Sequence, residues 1–179
     1  MKPLKTEIEF ATPWFQVLAK TMREGEAPYY SLKLQDYAAV VAITDEQEVL
    51  IVRQYRPAVE RDTLELPSGL VDAGETAREA ARRELLEETG YEAAVFEDLG
   101  PLLPDNGRLG NRIFSCFATG LRRVPGWRPE EGIAVLAWPL DELARATADG
   151  RFDHALHLAV VLVAVLKGRL RLPGVYSGV

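Results

Sequence analysis

The chain has 179 residues, 47% hydrophobic and 27% charged, which is the size of one globular domain with a substantial core. Its 21 Lys and Arg stand against 27 Asp and Glu, a net charge of −6 that argues against a nucleic-acid backbone as partner, because phosphate contacts need clustered cations. Its single cysteine, Cys116, excludes an internal disulfide. The longest apolar run, Leu158 to Leu166, falls short of the ~20 residues that span a bilayer. With no signal-like apolar run after Met1, the expected compartment is the cytoplasm, with no membrane partner.

In chain order, short β-rich segments fill the first third: Glu7–Phe10, Trp14–Ala19, Tyr29–Leu34, Ala38–Thr44 and Glu48–Tyr55, separated by turn signals such as Asp45-Glu46-Gln47. Pro67-Ser68-Gly69 and Ala73-Gly74 read as loop. A helix follows over Thr76–Thr89, with Thr76 as N-cap, Glu79 completing a capping box and Gly90 as the stop. Strands are predicted at Ala93–Leu99, Ile113–Gly120 and Ile133–Trp138, and helices at about Leu140–Ala148 and His154–Leu166. Strands with helices inserted between and after them suggest an α/β or α+β sandwich. Residues 1–179 are expected to form one domain, with N-terminal strands over about 1–36 and the core over 37–179.

The chemistry concentrates on the first helix. Glu84, Glu87 and Glu88 stand at i, i+3 and i+4, so at ~100° per residue they share one arc of its surface. Like charges at i,i+4 repel by about 0.2–0.5 kcal/mol, and a bound cation reverses the sign. Carboxylate oxygens suit Mg²⁺, which commonly completes its shell with waters and substrate phosphates, so a phosphorylated substrate is expected. Ala77, Ala81 and Leu85 form an apolar stripe that packs the helix while its acids face a cleft.

The stretch from Gly69 to Tyr91 resembles the Nudix box. Gly69, Glu75, Arg83, Glu84, Leu85, Glu87, Glu88, Gly90 and Tyr91 all fall on its fixed positions, with Tyr91 where an aliphatic residue is usual. The resemblance implies an α/β/α sandwich around a mixed β-sheet, with N-terminal strands that join a homodimer interface. It also implies hydrolysis of a nucleoside diphosphate linked to another moiety, with Mg²⁺ or Mn²⁺ held by Glu84, Glu87 and Glu88. Upstream, Gln54-Tyr55-Arg56 and Glu65-Leu66-Pro67-Ser68-Gly69 are similar to the approach to the box in the ADP-ribose pyrophosphatase branch.

That likeness marks Arg56 as a phosphate contact, with Arg53 as a partial match that reads equally as a strand-end charge. It marks the Ser68 carbonyl as a metal ligand and Glu65 as facing the nucleoside or a partner chain. Arg83 is expected to orient the glutamates by ion pairing, and Glu75 is a further candidate ligand. Arg108 and Arg112, in the turn-rich segment after Leu103, are candidates for a sugar or phosphate and read equally as solvated loop charges. The proton from water is expected on Glu87, Glu130 or Glu131, the last two just before Gly132.

ADP-ribose giving AMP and ribose 5-phosphate is the expected reaction. The branch's marker proline is displaced, Pro104 standing thirteen past Tyr91, which keeps GDP-mannose or UDP-sugars open. A non-catalytic ADP-ribose-binding module is the reading from another class. Trp14, Phe15, Tyr29 and Tyr30 read first as packing residues, with a share in the base site implied by the resemblance. His154 and His157, at i, i+3, suit a transition metal, but no third ligand is spaced to join them and they read as structural.

Overall fold

The computed structural model describes residues 2–174. Three strands open the chain, β1 (Lys5–Ala11), β2 (Phe15–Thr21) and β3 (Tyr29–Leu34), and pair as an antiparallel sheet in the order β1-β2-β3. Every residue of β1 is exposed, including Ile8 and Phe10. This sheet meets the rest of the chain through Leu32, whose N–H donates to the Arg108 carbonyl and whose carbonyl accepts from Gly110 N–H.

The body holds β4 (Tyr37–Ala42), β5 (Glu48–Arg56), β6 (Arg61–Glu65), β7 (Ser68–Leu70), α1 (Ala77–Thr89), β8 (Tyr91–Leu102), β9 (Ile113–Arg123), β10 (Ile133–Pro139), α2 (Leu140–Ala148) and α3 (Ala155–Leu166). One sheet runs β7-β4-β9-β8, with β4 and β9 parallel and its other pairs antiparallel; a second runs β10-β5-β6. The mixed sheet is the one expected.

β4 sits at the centre because Ala38 to Ala42 are all fully buried, with alternate residues serving opposite faces as the strand period requires. Ala39 and Val41 pack with α2 and α3 through Leu143, Val160 and Ala164, while Ala38, Val40 and Ala42 pack with α1 through Ala80, Ala81 and Leu85. Helices thus cover both faces. The buried α1 stripe is Ala80, Ala81 and Leu85, with Ala77 only half-buried. On α3, Leu162 and Leu166 face outward.

Two strands were hidden from sequence reasoning. β6 and β7 flank Leu66-Pro67, which looks like pure turn, yet Ser68 to Leu70 pair with Tyr37 to Ala39 and the Pro67 carbonyl accepts Val40 N–H. That pairing holds Gly69 beside α1. No described helix is long and apolar enough to cross a membrane.

Candidate active site

Thr76 caps α1 as a full capping box: its hydroxyl accepts Glu79 N–H while the Glu79 carboxylate accepts Thr76 N–H. Gly90 ends the helix in the left-handed region at φ 76°. Between these ends Arg83 acts as a hub. It donates to both Glu75 oxygens at 3.1 and 3.0 Å, to Glu84 Oε1 at 2.6 Å, to Glu87 Oε2 at 3.1 Å and to the Leu70 carbonyl at 2.9 Å. One cation thus serves three carboxylates.

Gly69 explains why the motif opens on glycine. A Cβ there would lie 1.9 Å from Glu84 Oε1, so the Glu84 carboxylate occupies the space a side chain needs. Glu88, 8% exposed, accepts Ser68 N–H at 2.8 Å. Burial lifts its carboxyl to about 8 against that hydrogen bond, with Glu84 and Glu65 adding to the rise. Burial also raises Glu84, opposed by Arg83. Glu84, Glu87 and Glu88 do not converge on one point, because Arg83 holds the first two and Ser68 N–H the third. As donors they are hard oxygens, and Glu88 is a buried carboxylate with no salt bridge among the described residues, so the set fits a hard divalent ion.

Arg56 and Glu65 form the second constellation. Arg56 Nε and Nη2 donate to the two Glu65 oxygens, each at 2.7 Å, and Thr63 Oγ1 donates to Glu65 Oε1 at 2.6 Å. Burial works to raise Glu65, but the bonds from Arg56 and Thr63 outweigh it and hold the carboxyl at about 2. Glu65 is 2% exposed, and both of its oxygens are engaged by Arg56 and Thr63. Arg56 itself is half-exposed, and its Nη1 makes no hydrogen bond among the described residues.

A cleft of about 410 Å³ is lined by Arg56, Glu65, Ser68, Gly69 and Glu88, whereas Arg83, Glu84 and Glu87 are not among its walls. Sequence reasoning missed several other walls of it: Tyr37, Asn111, and the histidines of α3. Burial, then Glu65, pushes the Tyr37 hydroxyl up to about 12. Trp14 lines the cleft too, while Tyr29, Tyr30 and Arg108 line a separate cavity, with Arg108 stacked on Tyr29. Arg112 pairs with Asp36 and lies over Phe114. Arg53 is exposed on β5, and Glu130 and Glu131 sit exposed before β10; none of these lines the cleft.

The histidines do have a third donor nearby, contrary to the spacing argument. Glu65, His154 and His157 bring donor atoms within 4.8 Å of one another. Their hydrogen bonds disfavour a metal there. His157 Nδ1 accepts Leu66 N–H at 3.0 Å and His154 Nδ1 accepts His157 N–H at 3.3 Å, which puts the ring protons on Nε2, while Glu65 is occupied by Arg56 and Thr63. Burial, then His154, lowers His157 to about 3, so it stays neutral. Periodicity shows neither bond, because Leu66 and His157 meet only in the folded chain.

The model of the NUDIX domain matches residues 33–159. An ADP-ribose pyrophosphatase of Mycobacterium tuberculosis (strain ATCC 25618 / H37Rv) is 37% identical over 128 residues, 69% of this chain and 62% of that protein. A methanol dehydrogenase activator of Bacillus methanolicus is 34% identical over 126 residues, 68% of each chain. The chain thus spans under two thirds of the mycobacterial relative. A crystal structure of an ADP compounds hydrolase superposes with a TM-score of 0.76 over 95% of this chain and 98% of that one at 23% identity, which shows the shared fold.

Proposed function

The chain belongs to the NUDIX domain family, and from that footing we propose that it hydrolyses the diphosphate of a nucleoside diphosphate linked to another moiety, with ADP-ribose as substrate and AMP and ribose 5-phosphate as products. One observation carries the reading: the buried acid Glu88 and the half-exposed Arg56 line the same cleft, a cation-seeking group opposite an anion-seeking one. A diphosphate with its divalent ion has that complementary charge. The mycobacterial relative's name supports the choice of ADP-ribose.

Glu84, Glu87, Glu88 and the Ser68 carbonyl would hold Mg²⁺ or Mn²⁺. When bound, such an ion neutralises phosphate oxygens and acidifies water. The chain's own residues do the rest. Arg56 directs its free Nη1 at a phosphate oxygen, with its plane fixed by the two Glu65 bonds. Water attacks phosphorus, the bond to the bridging oxygen breaks, and one water proton passes to Glu87, Glu130 or Glu131. Arg83 orients Glu84 and Glu87 without touching substrate.

Leu4, Ile8, Phe10, Trp14, Tyr29 and Tyr30 expose apolar surface on and beside the first sheet, which supports a homodimer through it. A single chain's mass by light scattering would refute the dimer. Cys116 is buried and unpaired, consistent with a reducing cytoplasm. The function is tested by metal-dependent release from ADP-ribose, ADP-glucose, GDP-mannose, UDP-glucose and NADH. ADP-ribose should turn over fastest and give AMP; no turnover of any would sink the hydrolase reading.

A further inference from the structure

The turn that leaves β9 is pinned to the end of α1. A Cβ on Gly90 would lie 2.4 Å from Trp127 Cδ2 and 2.6 Å from Cε3, so the indole rests on bare glycine. Its Nε1–H donates to the Glu87 carbonyl at 3.1 Å, and Val124 N–H donates to the Gly90 carbonyl at 2.8 Å. The Glu87 carbonyl is one of the last-turn acceptors that a helix cannot satisfy internally. A basic side chain usually helps there, yet α1 has none in its last turn and carries Glu87 and Glu88 at the negative end of its dipole. The indole N–H fills that role without bringing a charge that would compete for the glutamates.

Beyond Trp127 the chain is short. Ile133 pairs with Gln54 on β5, two residues before Arg56, so only Arg128 to Gly132 lie between a post on α1 and a post on β5. Those five residues, reaching at most about 17 Å, carry Glu130 and Glu131. Gly126 and Gly132, at φ 81° and 85°, flank the segment with open space where a Cβ would be.

We propose that Trp127 is a positioning residue, which tethers the segment bearing Glu130 and Glu131 to the end of α1 where Glu87 and Glu88 stand. This rests on the hydrolase reading above. The test is a double-mutant cycle between Trp127→Phe, which keeps a ring against Gly90 but lacks the N–H, and the double substitution Glu130→Gln with Glu131→Gln. Trp127→Phe should lower kcat about tenfold with KM and the Mg²⁺ requirement unchanged. Introduced into the chain that already carries Glu130→Gln and Glu131→Gln, it should cost less than about twofold.

An equal loss in both backgrounds, or none in either, overturns the proposal. Amide hydrogen exchange gives a reading that does not need turnover: exchange over residues 130–132 should quicken in Trp127→Phe while Glu84 to Gly90 stays unchanged. Unchanged exchange at 130–132 overturns the tether, whereas quickened exchange in Trp127→Phe alongside a wild type that cleaves no diphosphate overturns only the function.

Discussion

Two arginines organise the acidic clusters, Arg56 in the cleft and Arg83 outside its walls, and they do so under opposite charge balances. Arg83 is one cation spread over Glu75, Glu84 and Glu87, and among the described residues Glu88 forms no salt bridge. Arg56 is matched one to one with Glu65 through two parallel 2.7 Å bonds. The first cluster has surplus negative charge and calls for a divalent ion. The second is neutral overall, and it leaves Arg56 Nη1 without a hydrogen bond among the described residues. The same residue types in different ratios thus give an acidic surplus in one cluster and a matched pair in the other.

The comparison breaks most sharply at Glu84 and Glu88. Glu84→Gln or Glu88→Gln should cut metal-dependent kcat/KM by at least about a hundredfold, read by AMP release. The next test uses pH without metal, where the two clusters should slope in opposite directions. Glu88 has a folded pKa of about 8 against an ordinary 4.5, so its stabilising contribution is complete below 4.5 and is lost as pH rises through 8. Glu65, at about 2, contributes above 4.5 and is lost as pH falls towards 2. Chemical denaturation with chelator should show Glu88→Gln flattening the neutral-side slope alone, and added Mg²⁺ should flatten it in the wild type.

Glu65→Gln comes next in size. It should destabilise by about 1–3 kcal/mol, below the loss expected for a fully buried pair because Arg56 is half in water, and raise KM for substrate more than it lowers kcat. Gly69→Ala is subtler: denaturation midpoints should move little, because the clash is with the end of a side chain, while the Mg²⁺ concentration for half-activity rises about tenfold as Glu84 is displaced. Smallest is Arg112→Ala, expected to stay within about twofold in kcat/KM because Arg112 pairs with Asp36 outside the cleft.

The Arg83 cluster was legible in the sequence because its geometry is local. Glu84, Glu87 and Glu88 are fixed by helical spacing, and the capping box and Gly90 mark both ends. The Arg56 cluster was legible only in part. Glu65 could not be turned toward Arg56 without the antiparallel register that sets Val52 opposite Glu65, and β6 was masked by the turn-like Leu66-Pro67. Trp127, Tyr37 and Asn111 carry no periodic signal, and the i, i+3 spacing of His154 and His157 does not show that they meet Leu66 and Glu65. They reach the site through contacts between distant segments, which one chain read in order does not reveal.

The Leu66 N–H bond to His157 joins residues 91 apart, and His157 lies in α3, the last described helix. During synthesis from the N-terminus, the Arg83 hub can assemble as soon as Glu87 has emerged, since all its partners lie within 13 residues of it. The corner before Ser68 must wait for α3. A nascent chain, or one truncated before α3, would therefore carry a formed acidic helix beside an open corner at Leu66, which closes only once the first turn of α3 has been made.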